Sequence, residues 1–184
     1  MGFSERLKKI VNLVKDERGA TLLEYVIGLL MFVVFVAFSL DILFVATRYH
    51  LMGREVNDIA RALSVQSGTT AEVPYGFPGG DDAYLTSSEI LNRITKTARA
   101  VGFEDHEWEL YLEETDANGN VVRSGVLTEK SNFPVDYLNK ITVHFRGTYR
   151  WSNSAASGIP GIGRERTMSI KRVVMAEYLR NYDE

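Results

Sequence analysis

Residues 16–47 decide the architecture and read DERGATLLEYVIGLLMFVVFVAFSLDILFVAT. From Tyr25 to Leu40 this stretch carries no charge, and after Asp41 the apolar run resumes as ILFVA. At a rise of ~1.5 Å per residue, a helix over residues 25–47 is roughly 34 Å long, enough to cross a hydrocarbon core of about 30 Å. A core helix of a soluble domain keeps a polar stripe, and this run has none. The sequence therefore predicts a membrane-spanning helix over residues 20–47.

Basic residues are denser before the predicted span than after it. The preceding residues are Arg6, Lys8, Lys9, Lys15 and Arg18, and the following ones are Arg48, Arg54 and Arg61. Because cytoplasmic flanks are enriched in lysine and arginine, this bias favours a cytoplasmic N-terminus. We therefore expect a single-pass protein of the cytoplasmic membrane, with a basic leader (residues 1–19) inside and a domain of residues 48–184 outside.

A carboxylate and a glycine mark the start of the span. Glu24 lies at the edge of the hydrocarbon, where an unpaired charge costs several kcal/mol. Either it sits at headgroup level without a partner, or it pairs with a cation. Gly19 ends the charged leader, and four residues separate it from Glu24. Asp41 near the far interface has two similar interpretations, an interfacial group or a contact between subunits.

This junction resembles the processing site of type IV pilin-like proteins. Ala20 stands where common pseudopilins have phenylalanine, and Tyr25 follows the glutamate, which is more similar to the Flp pilins and TadE-like pseudopilins of the tight-adherence system. The resemblance implies that a prepilin peptidase cuts between Gly19 and Ala20. Glu24 would then be the fifth residue of the mature chain.

The same resemblance implies roles and partners for these residues. A carboxylate one helical turn from a new α-amine can neutralise it, whether the amine belongs to the same chain or to a neighbour. In a filament, Glu24 and the adjacent Tyr25 would thus serve assembly. The expected partners are the prepilin peptidase, other pilin-like subunits through the N-terminal helix, and the membrane.

The residues after the span predict an α+β domain of pilin-like layout. Apolar residues at helical spacing extend the first helix as an amphipathic one to about Ser67: Val45, Tyr49, Met52, Val56, Ile59 and Leu63. A loop follows to Leu85, and Thr86-Ser-Ser-Glu89 is a capping box that opens a second helix ending near Gly102. Alternating residues then predict an antiparallel sheet of about four strands, near residues 108–112, 121–127, 141–151 and 166–175. Gly147 is expected to be a bulge or a point of close contact.

Composition and motifs exclude several function classes. The chain has no cysteine, which excludes disulfides, thiolate nucleophiles and cysteine-based zinc sites. Its net charge of −3 gives no indication of nucleic-acid binding. The three histidines lie far apart, so no metal-binding pair is predicted. No glycine-rich phosphate loop follows a strand and no nucleophile motif is present, so no cofactor-binding or catalytic residue is predicted either. Asp116, Asn118 and Asn120 mimic a calcium loop but fit a hairpin turn better, and Asp81 and Asp82 fit a solvated loop.

Three functions compete on these observations. The first is a pilin-like or TadE-like pseudopilin, a structural or assembly component of a type IV-type pilus or related secretion apparatus. The second is an uncleaved, membrane-anchored binding or accessory module. The third, an anchored enzyme, has no recognisable nucleophile motif to support it. The glycine-rich loop over residues 152–163 is the best candidate for contact with a partner.

Overall fold

The computed structural model describes residues 17–77, 81–150 and 165–178, and its architecture is α+β, as predicted. Helix α1 (Glu17–Gln66) comes first, followed by strand β1 (Gly68–Thr69), a 3-10 turn (Asp81–Ala83) and helix α2 (Ser87–Ala100). The remaining strands are β2 (Trp108–Thr115), β3 (Val121–Val126), β4 (Phe133–Pro134), β5 (Lys140–Arg150) and β6 (Glu165–Met175). Residues 1–16 of the predicted leader, Trp151 and the predicted loop over 152–163 lie outside the described residues.

Residues 17–44 belong to one compact unit, and residues 45–150 and 165–178 belong to a second. In the first unit, the apolar side chains from Leu22 to Phe44 are largely exposed, and the most apolar stretch of α1 has no buried residue. Among the residues that the structure describes, α1 is the one helix long and apolar enough to cross a membrane, judged by length and composition.

In the second unit, the C-terminal part of α1 contributes one buried face to the hydrophobic core. Met52, Val56, Ile59 and Leu63 have no exposed surface, and their spacing of three and four residues places them on one helix face. The predicted stripe is therefore confirmed from Met52 onward. Tyr49 is 40% exposed, so the stripe does not extend that far toward the N-terminus.

Helix α2 begins at the predicted capping box. Thr86 Oγ1 accepts a hydrogen bond from the Glu89 N–H (3.3 Å), and the Glu89 carboxylate accepts one from the Thr86 N–H (2.8 Å). These bonds satisfy backbone donors that the first turn of a helix leaves unpaired. The helix buries Ile90, Ile94 and Ala98 and ends before Gly102, whose φ of 92° suits glycine.

The predicted antiparallel sheet is confirmed, with strand order β3-β2-β5-β6. Alternate residues of its three longer strands join the core of α1 and α2: Leu110, Leu112, Ile141, Val143, Phe145, Met168 and Ile170. Gly147 pairs in register with Trp108 and Met168, so it is not a bulge. It is a point of close contact, because a Cβ there would lie 2.7 Å from Phe103 Cε1. The register of β2 and β3 shifts instead between Glu114 and Thr115.

Strand β1, directly after α1, pairs with β4. This two-stranded sheet was not predicted. Ser64 at the end of α1 and Ser67 in the following turn hold the end of β6 and the residues after it. Ser64 Oγ donates to the Met175 carbonyl, and Ser67 Oγ donates to the Tyr178 carbonyl. Each bond joins residues 111 positions apart in sequence, so the end of α1 is fixed by residues synthesised much later.

Candidate functional site

The predicted processing residues lie in the backbone of α1. Gly19 and Ala20 are the third and fourth residues of this helix, which starts at Glu17. Both residues lie on the same continuous helix as Glu24.

The predicted assembly residues lie on the exposed surface of the same helix. Glu24 follows Ala20 by one turn, about 6 Å along the axis. Its side chain is exposed, and Tyr25 is 76% exposed. Within the described part of the chain, no residue forms a hydrogen bond or an ion pair with the Glu24 carboxylate. The carboxylate is thus available to a cation from outside this set of residues.

Glu24 borders a shallow depression on one face of α1. The lining residues recur at helical spacing: Thr21, Glu24, Tyr25, Gly28, Leu29 and Phe32. No atom lies within 4 Å of the position that a Cβ on Gly28 would occupy. This glycine therefore leaves a notch one turn beyond Glu24, where the backbone of another helix can approach closely. Asp41, further along the helix, is partly buried.

Asp116 forms the hairpin turn that its sequence predicts. Its carboxylate accepts hydrogen bonds from the backbone N–H groups of Asn118 (2.9 Å) and Asn120 (2.8 Å), and from Asn120 Nδ2 (3.0 Å). These bonds, with those from Asn120 the strongest, hold the pKa of Asp116 below its usual range. Both carboxylate oxygens thus serve the turn between β2 and β3.

The structure also brings together three side chains that the sequence analysis did not single out. Glu104, His106 and Glu107, between α2 and β2, offer donor atoms that all lie within 4.8 Å of one another. The local sequence Glu-Asp-His-Glu was the available indication. It was missed because histidine pairs were sought, whereas this set combines one imidazole with two carboxylates.

Comparisons with protein-family models, with curated proteins and with solved structures give no match for this chain. What the chain does must therefore be inferred from its own residues and geometry. The α+β architecture and the apolar first helix are observed, whereas the pilin-like role rests on the junction around Gly19 and Glu24.

Proposed function

We propose that this chain is a pilin-like pseudopilin of the tight-adherence type, a structural or assembly subunit of a type IV-type pilus or related secretion apparatus. In this proposal, α1 anchors the chain in the cytoplasmic membrane with its N-terminus inside and residues 48–184 outside. A prepilin peptidase cuts after Gly19, and the mature chain begins at Ala20.

One observation carries the proposal: a single helix changes its surroundings along its length. From Leu22 to Phe44 its apolar side chains are exposed, whereas from Met52 to Leu63 its apolar stripe is fully buried in the α+β core. Exposed apolar patches beyond a few hundred Å² mark an interaction surface or a membrane contact. Lipid can cover such a surface before assembly, and neighbouring helices can cover it after assembly.

The position of Glu24 supports the filament over a simple anchor. A lipid anchor gains nothing from a carboxylate at its start, because an unpaired charge in hydrocarbon costs several kcal/mol. Cleavage before Ala20 creates an α-amine one turn from this carboxylate, and the two opposite charges attract strongly where the dielectric constant is low. The notch at Gly28 lies on the same face, where a neighbouring helix would pack.

Processing is tested by expressing the chain with and without a prepilin peptidase of the tight-adherence type. We expect intact-mass measurement to show loss of residues 1–19 and a new N-terminus at Ala20 in the strain with the peptidase. Gly19→Val should block cleavage, because a side chain next to the scissile bond obstructs the backbone. Gly28→Ala is the matched control, since its Cβ meets open space and lies outside the cleavage site.

An unshortened chain in the peptidase strain would contradict the proposal and favour the uncleaved binding module. Cleavage of Gly19→Val at the wild-type rate would show that Gly19 is not the recognised residue. The cleavage position is read directly from the mass of the product, so cutting elsewhere is distinguishable from cutting after Gly19.

A further inference from the structure

The turn between α2 and β2 is held rigidly by the backbone. The Glu107 N–H donates to the Glu104 carbonyl (3.0 Å), which closes the four-residue turn. The Thr148 N–H donates to the Glu107 carbonyl (2.8 Å) and attaches the turn to β5. Side chains that project from residues 104–107 therefore start from fixed backbone positions.

Two aromatic rings, one buried and one partly buried, anchor the ends of this turn. Phe103, immediately before it, is 3% exposed and contacts the ring of Phe145 at a centroid distance of 5.6 Å. Trp108, immediately after it, stacks on the same ring at 5.9 Å. Because Phe145 belongs to the core, the turn cannot shift without disturbing that core.

The three donor atoms all lie within 4.8 Å of one another, and the separation of His106 from Glu104 is close to that found at a small ion. His106 Nε2 lies 3.7 Å from Glu104 Oε2. Tetrahedral zinc with bonds of about 2.0–2.1 Å holds its ligand atoms about 3.4 Å apart. The His106 and Glu104 side chains are 79% and 73% exposed, so both can close on an ion without breaking core contacts. The Glu107 carboxylate is already oriented by a bond from the Glu104 N–H (3.2 Å).

The electrostatic surroundings favour a cation at this position. Glu104 and Glu107 repel each other, and within residues 17–77, 81–150 and 165–178 no lysine or arginine forms an ion pair with either. The nearby Arg99 is engaged by Asp105, with Nε 2.8 Å from Oδ1. A divalent cation would offset the charges of the two glutamates.

We infer that Glu104, His106 and Glu107 bind a first-row divalent transition-metal ion, with Zn²⁺ as the representative ligand. An imidazole with two carboxylates suits such ions, whereas Ca²⁺ and Mg²⁺ prefer oxygen ligands alone. Three protein ligands leave the fourth position of a tetrahedral ion to water or to a group from a partner. This inference does not rest on the proposed pseudopilin function, because processing and assembly involve other residues.

The test uses the full chain in detergent, without an affinity tag and freed of metal with a chelator. Titration calorimetry with ZnCl₂ should give one ion per chain. His106→Ala, Glu104→Gln and Glu107→Gln should each weaken binding by at least about tenfold, the effect that even outer-shell changes produce at metal sites. His144→Ala is the matched control, because His144 bonds Ser169 on the sheet, away from the turn.

Absence of saturable Zn²⁺ binding up to about 1 mM would overturn the inference, since weaker binding releases less than about 4 kcal/mol. Equal affinity of the wild-type chain and His106→Ala would overturn it too, as would an equal loss in His144→Ala. Displacement of Zn²⁺ by an equal concentration of Ca²⁺ would contradict the proposed ligand class. Circular dichroism of each variant shows that the fold is intact; the glutamine variants keep the size of the replaced side chains.

Discussion

The carboxylate of Glu24 lies one helical turn beyond Ala20, on a face of α1 that carries the notch at Gly28. In the proposed filament it pairs with an α-amine. We expect Glu24→Gln to leave peptidase cleavage unchanged and to reduce incorporation into filaments by about tenfold or more, because a charged hydrogen bond contributes about 1.5–3 kcal/mol. Quantitative immunoblotting of sheared filaments against total cleaved chain measures this. If the Glu24→Gln chain enters filaments as efficiently as the wild-type chain, the proposed pairing of Glu24 with an α-amine is disproved.

Gly147 provides a second residue-scale prediction, which concerns stability. A Cβ at this position would meet Phe103 Cε1 at 2.7 Å, so Gly147→Ala should lower the free energy of unfolding by about 1–3 kcal/mol through overpacking. Gly125→Ala is the matched control: its Cβ meets nothing within 4 Å, and stability should be unchanged or raised by up to about 1 kcal/mol. Urea unfolding followed by tryptophan fluorescence measures both variants. Equal free energies of unfolding for the two variants would show that the Phe103 ring moves aside without destabilising the fold.

The sequence indicated that Gly147 was special but could not identify its neighbour. Phe103 is distant in sequence, and only the pairing of β2 with β5 brings it over Gly147. Glu114 shows the same limit. Its strand alternation puts it on the inner face, where an apolar residue is expected, yet it is 1% exposed. Its Oε1 accepts hydrogen bonds from the Asp136 N–H and Asn139 Nδ2. Neither donor is evident before the chain is folded.

At the scale of elements, α1 has two halves with different energetic roles. Ile59 has no exposed surface, and Ile59→Ala should destabilise the domain by about 2–5 kcal/mol because it removes transfer energy and leaves a cavity. Ile42, in the same helix, is 55% exposed, and Ile42→Ala should leave unfolding of the domain unchanged. Urea unfolding of the full chain in detergent compares the two. A comparable loss for both would mean that the domain depends on the apolar half.

Periodicity predicted the long elements well and the short ones not at all. Helices α1 and α2 and the four main strands each present enough turns or alternations to reveal their buried face. Strands β1 and β4 have two residues each, which is too few for any pattern. They form because Ser67, with a φ of 54°, turns the chain sharply after α1 and brings Gly68 beside Pro134.

At the scale of the whole molecule, the proposal predicts which parts lie on each side of the membrane. The chain has no cysteine, so single cysteines can be introduced without background. In spheroplasts lacking the peptidase, Tyr75→Cys should react with a membrane-impermeant maleimide, since Tyr75 is 95% exposed. Ser4→Cys in the basic leader should react only after permeabilisation, because positive flanks stay in the cytoplasm. The reverse pattern would invert the proposed orientation, and the unaltered chain should stay unlabelled.

The two candidate sites differ in how far the sequence reveals them. Gly19 and Glu24 lie in the same helix, so their spacing in sequence fixes their separation in space. The donors of Glu104, His106 and Glu107 converge only because the turn is closed by its own hydrogen bond and fixed between Phe103 and Trp108. The sequence shows the residue types of such a site, and the packing of distant aromatic rings determines their geometry.

In the proposed topology, the serine bonds from the end of α1 to Met175 and Tyr178 bear on the order of events during export. The ribosome makes α1 first and residues 165–178 much later. In the proposed topology, the domain therefore lacks its last strand while most of it crosses the membrane. Contacts between such distant residues also form slowly. We expect the chain to remain unfolded, and therefore able to thread through a translocation channel, until β6 has emerged.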